Sequence, residues 1–126
     1  QVIDHFQWAG RYMVLRKDPL VLLDGAHNVH GITALIQSLK DFTGKIYFSV
    51  LKEKDAPQMI ELLQSISKDI TLVEISSARL YPLEKLGYPI ITVDELISRL
   101  LDTKEDSLLC GSLYYVGEVL EKWGNV

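Results

Sequence analysis

Two rhythms of apolar residues alternate along the chain. Leu20-Val21-Leu22-Leu23, Ile46–Leu51 and Ile70–Ile75 are short runs with little polar alternation, the pattern of strands buried on both faces of a parallel sheet. Between and after them, apolar residues recur three or four apart, as they do on the buried face of a helix. Such sets are Ile32, Leu35, Ile36, Leu39 and Phe42; then Ile60, Leu62, Leu63 and Ile66; then Leu96, Ile97, Leu100 and Leu101; and last Leu113, Val116, Leu120 and Trp123. Punctuation between the two rhythms sets the boundaries. Asp18-Pro19 is a turn after a first strand at Tyr12–Leu15, and so short a link makes that strand antiparallel to Leu20–Leu23. Asn28 is an N-cap for a helix running to about Asp41, which Thr43-Gly44 ends, with Gly44 as a left-handed C-terminal residue. Asp55, with Pro57 in the first turn, caps the next helix. Tyr81–Leu86 is a short helix stopped by Gly87, and Tyr88–Thr92 a short strand. Thr92 and Glu95 form a capping box. Ser107–Cys110 is the last strand, and Gly111-Ser112 turns the chain into the final helix. One antiparallel strand followed by five strands alternating with helices predicts an α/β fold of three layers: a mostly parallel six-stranded sheet with one antiparallel strand at the N-terminus and helices on both faces.

Bulk properties narrow the class of partner. With 126 residues the chain makes one domain, 1–126, with a real core. A net charge of −4 argues against nucleic acid or a membrane surface as the main partner, and no apolar run is long enough to span a bilayer. No signal peptide opens the chain; Gln1–Gln7 reads as an entering linker, and a start without Met or an N-terminal cap fits a piece of something longer. A single cysteine excludes an internal disulfide framework and fits a reducing, cytoplasmic setting; in Leu108-Leu109-Cys110 it reads as a small buried hydrophobe.

In a parallel sheet every strand-to-helix turn lies on one edge, where ligands bind. That edge collects Asp24–Asn28, Lys52–Asp55, Ser76–Arg79 and Gly111-Ser112, and with them Asp24, His27, Lys52, Lys54, Asp55, Arg79 and Ser112. The opposite edge has only helix-to-strand loops such as Asp102–Asp106. Each of these residues also has a purely structural reading: Asp24 bonding turn amides, His27 and Ser112 capping, Lys52–Asp55 a solvated loop, Arg11 a surface ion pair. Neither G-x-x-x-x-G-K-[ST] nor G-x-G-x-x-G is present, so the domain has no phosphate-cradling loop of its own. The elbow G-x-S-x-G is absent as well. His27 and His30 stand three apart without a third ligand at a suggestive spacing, which leaves no metal site.

Five segments taken together carry a resemblance: Trp8-x-Gly10-Arg11, Leu23-Asp24-Gly25-Ala26-His27-Asn28, Lys54-Asp55, Ala78-Arg79 and Gly111-Ser112-Leu113-Tyr114-Tyr115-Val116-Gly117-Glu118-Val119. In this order they resemble the C-terminal domain of folylpolyglutamate synthases and dihydrofolate synthases, of the Mur ligase superfamily. Ala9, Val29 and Glu53 depart from its usual Pro, Pro and Asp, and Ser76-Ser77 replaces its usual Asn-Pro. The resemblance implies a Rossmann-like fold and an enzyme that uses ATP and Mg2+ to phosphorylate the carboxylate of a folate or pteroate, which the amine of L-glutamate then attacks. It implies that metal and triphosphate are held mainly by an N-terminal P-loop domain, absent from this chain, over which the C-terminal domain closes. By the resemblance Arg11 reaches the ATP phosphates, Asp24 accepts from the ribose, His27 lies beside the γ-phosphate and the glutamate, Ser112 lies near the glutamate, and Lys54, Asp55 and Arg79 fall at substrate-side motif positions. Catalytic roles fall to His27 and Ser112, and the isolated domain is expected to lack ligase activity. Two alternatives stay open on the residues alone: a free-standing small-molecule-binding module, or a domain of a cell-wall Mur-type ligase.

Overall fold

A computed structural model describes residues 12–126 in full and residues 6–7 in backbone. Its strands are β1 (Phe6–Gln7), β2 (Tyr12–Lys17), β3 (Leu20–Asp24), β4 (Lys45–Phe48), β5 (Ile70–Glu74), β6 (Ile90–Thr92) and β7 (Ser107–Cys110). Its helices are α1 (Val29–Ser38), α2 (Ala56–Leu63), α3 (Val93–Asp102) and α4 (Leu113–Trp123). The sheet order is β1-β2-β3-β7-β4-β5-β6. β3, β7, β4, β5 and β6 pair in parallel, and β2 is antiparallel to β3, as the sequence predicts. Phe6 and Gln7, expected to be linker, add a two-residue seventh strand antiparallel to β2. A bulge between Val14 and Arg16 interrupts the β2–β3 register, and Leu15 within it is buried.

Alternate residues of each strand face opposite layers. Leu22, Ile46, Phe48, Ile70, Leu72 and Leu108 pack with α1 and α2. Leu23, Tyr47, Val73, Ile91 and Leu109 pack with α3 and α4. The predicted caps form. Asn28 Oδ1 accepts from Gly31 N–H at 2.8 Å, Asp55 Oδ1 from Gln58 N–H at 3.3 Å, and Thr92 and Glu95 make the reciprocal box at 2.8 and 3.1 Å.

Four expectations change. α1 ends at Ser38 with Leu39 as its C-cap, and Gly44 is not in the left-handed region. Gly44 is needed for another reason: a Cβ there would collide with the Asp106 carbonyl and the Phe42 ring. The helix expected at Tyr81–Leu86 is a single 3-10 turn, Leu83–Lys85, before Gly87 at φ 81°. Leu101 and Leu113 share the period of their helices but are exposed, while Tyr115 and Val119 take the core positions of α4. A three-to-four spacing admits two adjacent stripes, and which stripe is buried depends on how the helix lies on the sheet.

Candidate functional site

The site begins with the directions the chain takes after two neighbouring strands. β3 and β7 are adjacent and parallel, with Asp24 opposite Cys110 at their carboxyl ends. Beyond those ends the chain diverges: α1 packs on one face of the sheet and α4 on the other. Such a divergence opens a crevice, and a cleft of ≈ 590 Å³ lies there. Asp24, Gly25, His27 and His30 line it from the β3–α1 turn and the start of α1, and Leu113 and Val116 from α4.

The turn is held by its own polar groups. Asp24 is 5% exposed, and its Oδ1 accepts the Ala26 N–H at 2.7 Å, which fixes the carboxylate against the turn. His27 Nδ1 lies 2.9 Å from the Gly25 carbonyl oxygen. A carbonyl only accepts, so Nδ1 carries the proton in that bond and Nε2 is the nitrogen left for other partners. The Cys110 thiol is wholly buried, and burial and the nearby Asp24 charge push its pKa well above the usual thiol range. It behaves as the small apolar residue the sequence suggests.

Ser112 is buried at 1% exposure and caps α4: its Oγ accepts from the N–H groups of Tyr114 at 3.1 Å and Tyr115 at 3.4 Å. Its neighbour Leu113 reaches the cleft. Gly111, at φ 122°, makes the corner possible; a Cβ there would run into the Ser49 carbonyl oxygen and the Phe48 ring.

Lys54, Asp55 and Arg79 lie on the same edge but do not line this cleft. Asp55 is the cap of α2, and Lys54 donates its backbone N–H to the Leu51 carbonyl at 3.1 Å. Arg79 is exposed, ion-paired with Glu53 and set 5.6 Å over the Tyr114 ring. The Glu53 carboxyl is held below its usual range by its own backbone N–H first and by Arg79 second. Arg11, with Trp8 and Gly10, lies outside the described residues. Among the described residues no three His, Cys, Asp or Glu side chains gather as metal ligands, and no helix is long and apolar enough to cross a membrane. Gly25 and Leu113 are cleft residues that the sequence reading did not single out. The apolar periodicity marked Leu113 as core, and nothing local distinguishes a helix residue facing a crevice from one facing a sheet.

The topology defines a doubly wound α/β domain with a crevice at the carboxyl edge of its sheet, the place where ligands bind in folds of this class. No family model matches the chain. Along nine-tenths of its length, however, it is similar to dihydrofolate synthase/folylpolyglutamate synthases, and the resemblance carried by the sequence motifs holds. The enzyme of that name from Bacillus subtilis (strain 168) is 28% identical over 130 residues, covering 91% of this chain and 30% of the relative. E. coli FolC, solved with ADP, superimposes with a TM-score of 0.74 at 25% identity over 92% of this chain and 31% of that one. A bifunctional folylpolyglutamate synthase/dihydrofolate synthase solved with Mn, AMPPNP and L-glutamate gives a TM-score of 0.77 at 21% identity over 94% of this chain and 32% of that one, a likeness of fold. The chain thus spans about a third of the length of these three proteins.

Proposed function

We propose that residues 1–126 form the C-terminal domain of a cytoplasmic, ATP-dependent folate–glutamate ligase, whose P-loop domain lies elsewhere in a longer protein. One observation carries the reading. All of Asp24-Gly25-Ala26-His27-Asn28 lines the cleft, and Leu113 of Gly111-Ser112-Leu113-Tyr114 lines it from α4, although 84 residues of chain lie between Asn28 and Leu113.

The cleft suits a nucleotide on two counts. Its volume falls within the roughly 300–1,000 Å³ of small-molecule sites. Asp24 offers a fixed anionic acceptor, which repels phosphate and suits the hydroxyls of a ribose. In this reading His27, with Nδ1 committed to Gly25, presents Nε2 toward the reacting groups, and Ser112, nearly buried and outside the cleft lining, serves the glutamate side through the start of α4, which its hydroxyl oxygen caps. By the resemblance, Arg11 supplies the guanidinium for the phosphates. Lys54, Asp55 and Arg79 form the outer rim on the substrate side. ATP supplies the phosphoryl group that activates a folate or pteroate carboxylate for attack by the glutamate amine; the divalent metal belongs to the P-loop domain.

The test uses the full-length protein. Asp24→Ala raises the ATP concentration needed for half-maximal ligation of glutamate to folate by ten-fold or more, the equivalent of a lost charge-assisted hydrogen bond of about 1.5–3 kcal/mol. Arg11→Ala lowers turnover without a matching loss of stability, and the 126-residue chain alone turns over no ATP. Unchanged ATP dependence in Asp24→Ala would remove the ribose role and with it the reading.

A further inference from the structure

Leu113 is anomalous. It is the first residue of α4 and 62% exposed, yet it lines the cleft and presses on the opposite wall. A Cβ built on Gly25 would lie 2.5 Å from Leu113 Cδ2 and 3.5 Å from its Cγ. The leucine side chain therefore occupies the space that any residue other than glycine would need at position 25. Gly25 has no left-handed backbone angle; what the missing side chain does is let the tip of Leu113 lie beside its Cα, and a larger residue there would turn that flexible tip aside.

What Gly25 does in the turn gives the contact its meaning. Its carbonyl takes the proton of His27 Nδ1. On its two sides, Asp24 Oδ1 bonds the Ala26 N–H and so spans the same residue. A side chain bearing on the Gly25 Cα restricts how this peptide unit can rotate, and the orientation of its carbonyl fixes both the plane and the tautomer of the imidazole. At the other end, Leu113 is anchored through the cap of α4, where Ser112 Oγ holds the next two backbone N–H groups.

We infer that Leu113 is a positioning residue: seated on Gly25, it couples the start of α4 to the β3–α1 turn and holds the His27 imidazole in the Nδ1-protonated form. The role deepens the ligase reading but is tested without any ligand, so the two stand or fall separately.

The experiment records the ring 15N shifts of His27 in the 126-residue chain, at a pH where the imidazole is neutral. The wild type gives shifts of a dominant Nδ1–H tautomer. Leu113→Ala moves them toward the mixture of a free imidazole, with little change in melting temperature because the side chain is mostly exposed. Leu113→Met, which can still reach Gly25, restores them. Gly25→Ala evicts Leu113 and produces the same drift, and combining it with Leu113→Ala adds nothing further, as expected of two residues acting through one contact. His27 shifts unmoved by Leu113→Ala, or two single effects that simply add, would overturn the assignment. In the full-length enzyme the same leucine-to-alanine change lowers kcat and moves its pH profile while the KM for ATP stays within two-fold. A change in KM alone counts against positioning through His27, whatever the outcome for Asp24→Ala.

Discussion

Two groups of polar residues share the carboxyl edge of the sheet, and they are built in opposite ways. At the β3–α1 turn, Asp24 is nearly buried, bonded to a backbone N–H, and pressed from across the cleft through its neighbour Gly25. On the rim beyond β4 and β5, Glu53, Arg79 and Tyr114 meet by side-chain tips that stay in solvent. Both groups sit where strands give way to helices, Tyr114 in the first turn of α4, and both look chemically rich in the sequence. The difference lies in what holds them. Backbone bonds and packing fix the first group, whereas long side chains that water can solvate equally well hold the second. Fixed geometry is what a binding site requires, so the turn, with its cleft, is the stronger candidate.

The contrast can be broken most forcefully at the corner facing the turn. Gly111→Ala forces a side chain into a left-handed backbone position against the Ser49 carbonyl. It should destabilise the domain by about 3 kcal/mol in urea unfolding, the upper range for a strained backbone position. Ser112→Ala has a smaller effect. It removes the cap of α4 and should cost about 1 kcal/mol, with hydrogen exchange at the Tyr114 and Tyr115 amides faster than in the wild type. An unaltered exchange rate would show that the cap does not hold the first turn.

The smallest effect belongs to the rim. Arg79→Ala should leave the melting temperature at physiological salt where it is. It should also raise the Glu53 carboxyl pKa part of the way toward its ordinary value, since the larger cause of the depression, the residue's own N–H, remains. A carboxyl with a depressed pKa contributes stability above its unfolded value, and that contribution disappears as pH falls through the folded one. Any stabilising role of the pair is therefore confined to the neutral side and lost in acid. Titration of Glu53 by NMR in the two proteins measures it, and a large melting-point loss in Arg79→Ala would abolish the distinction between turn and rim.

Much of this molecule is written locally. The caps Asn28, Asp55, Thr92 with Glu95, and Ser112 all act where the sequence places them, because a cap depends on the three or four residues after it. The parallel direction of five strands follows from their alternation with helices, and the burial of Cys110 from the apolar run it ends. The cleft itself is only half legible. Asp24 and His27 stand out as a turn between strand and helix, but Leu113 is indistinguishable by spacing from the core residues of its helix, and nothing local shows that Lys54, Asp55 and Arg79 lie outside the cleft lining.

Periodicity, caps and turn residues determined which stretches are strands and helices, and which loops share an edge, since those depend on neighbours along the chain. Only the tertiary structure decided that β7 inserts between β3 and β4 and sends α4 to the face opposite α1. That placement sets Leu113 against Gly25, 88 positions earlier in the sequence. No local pattern encodes such a contact, because it forms only when the two layers close on the sheet between them.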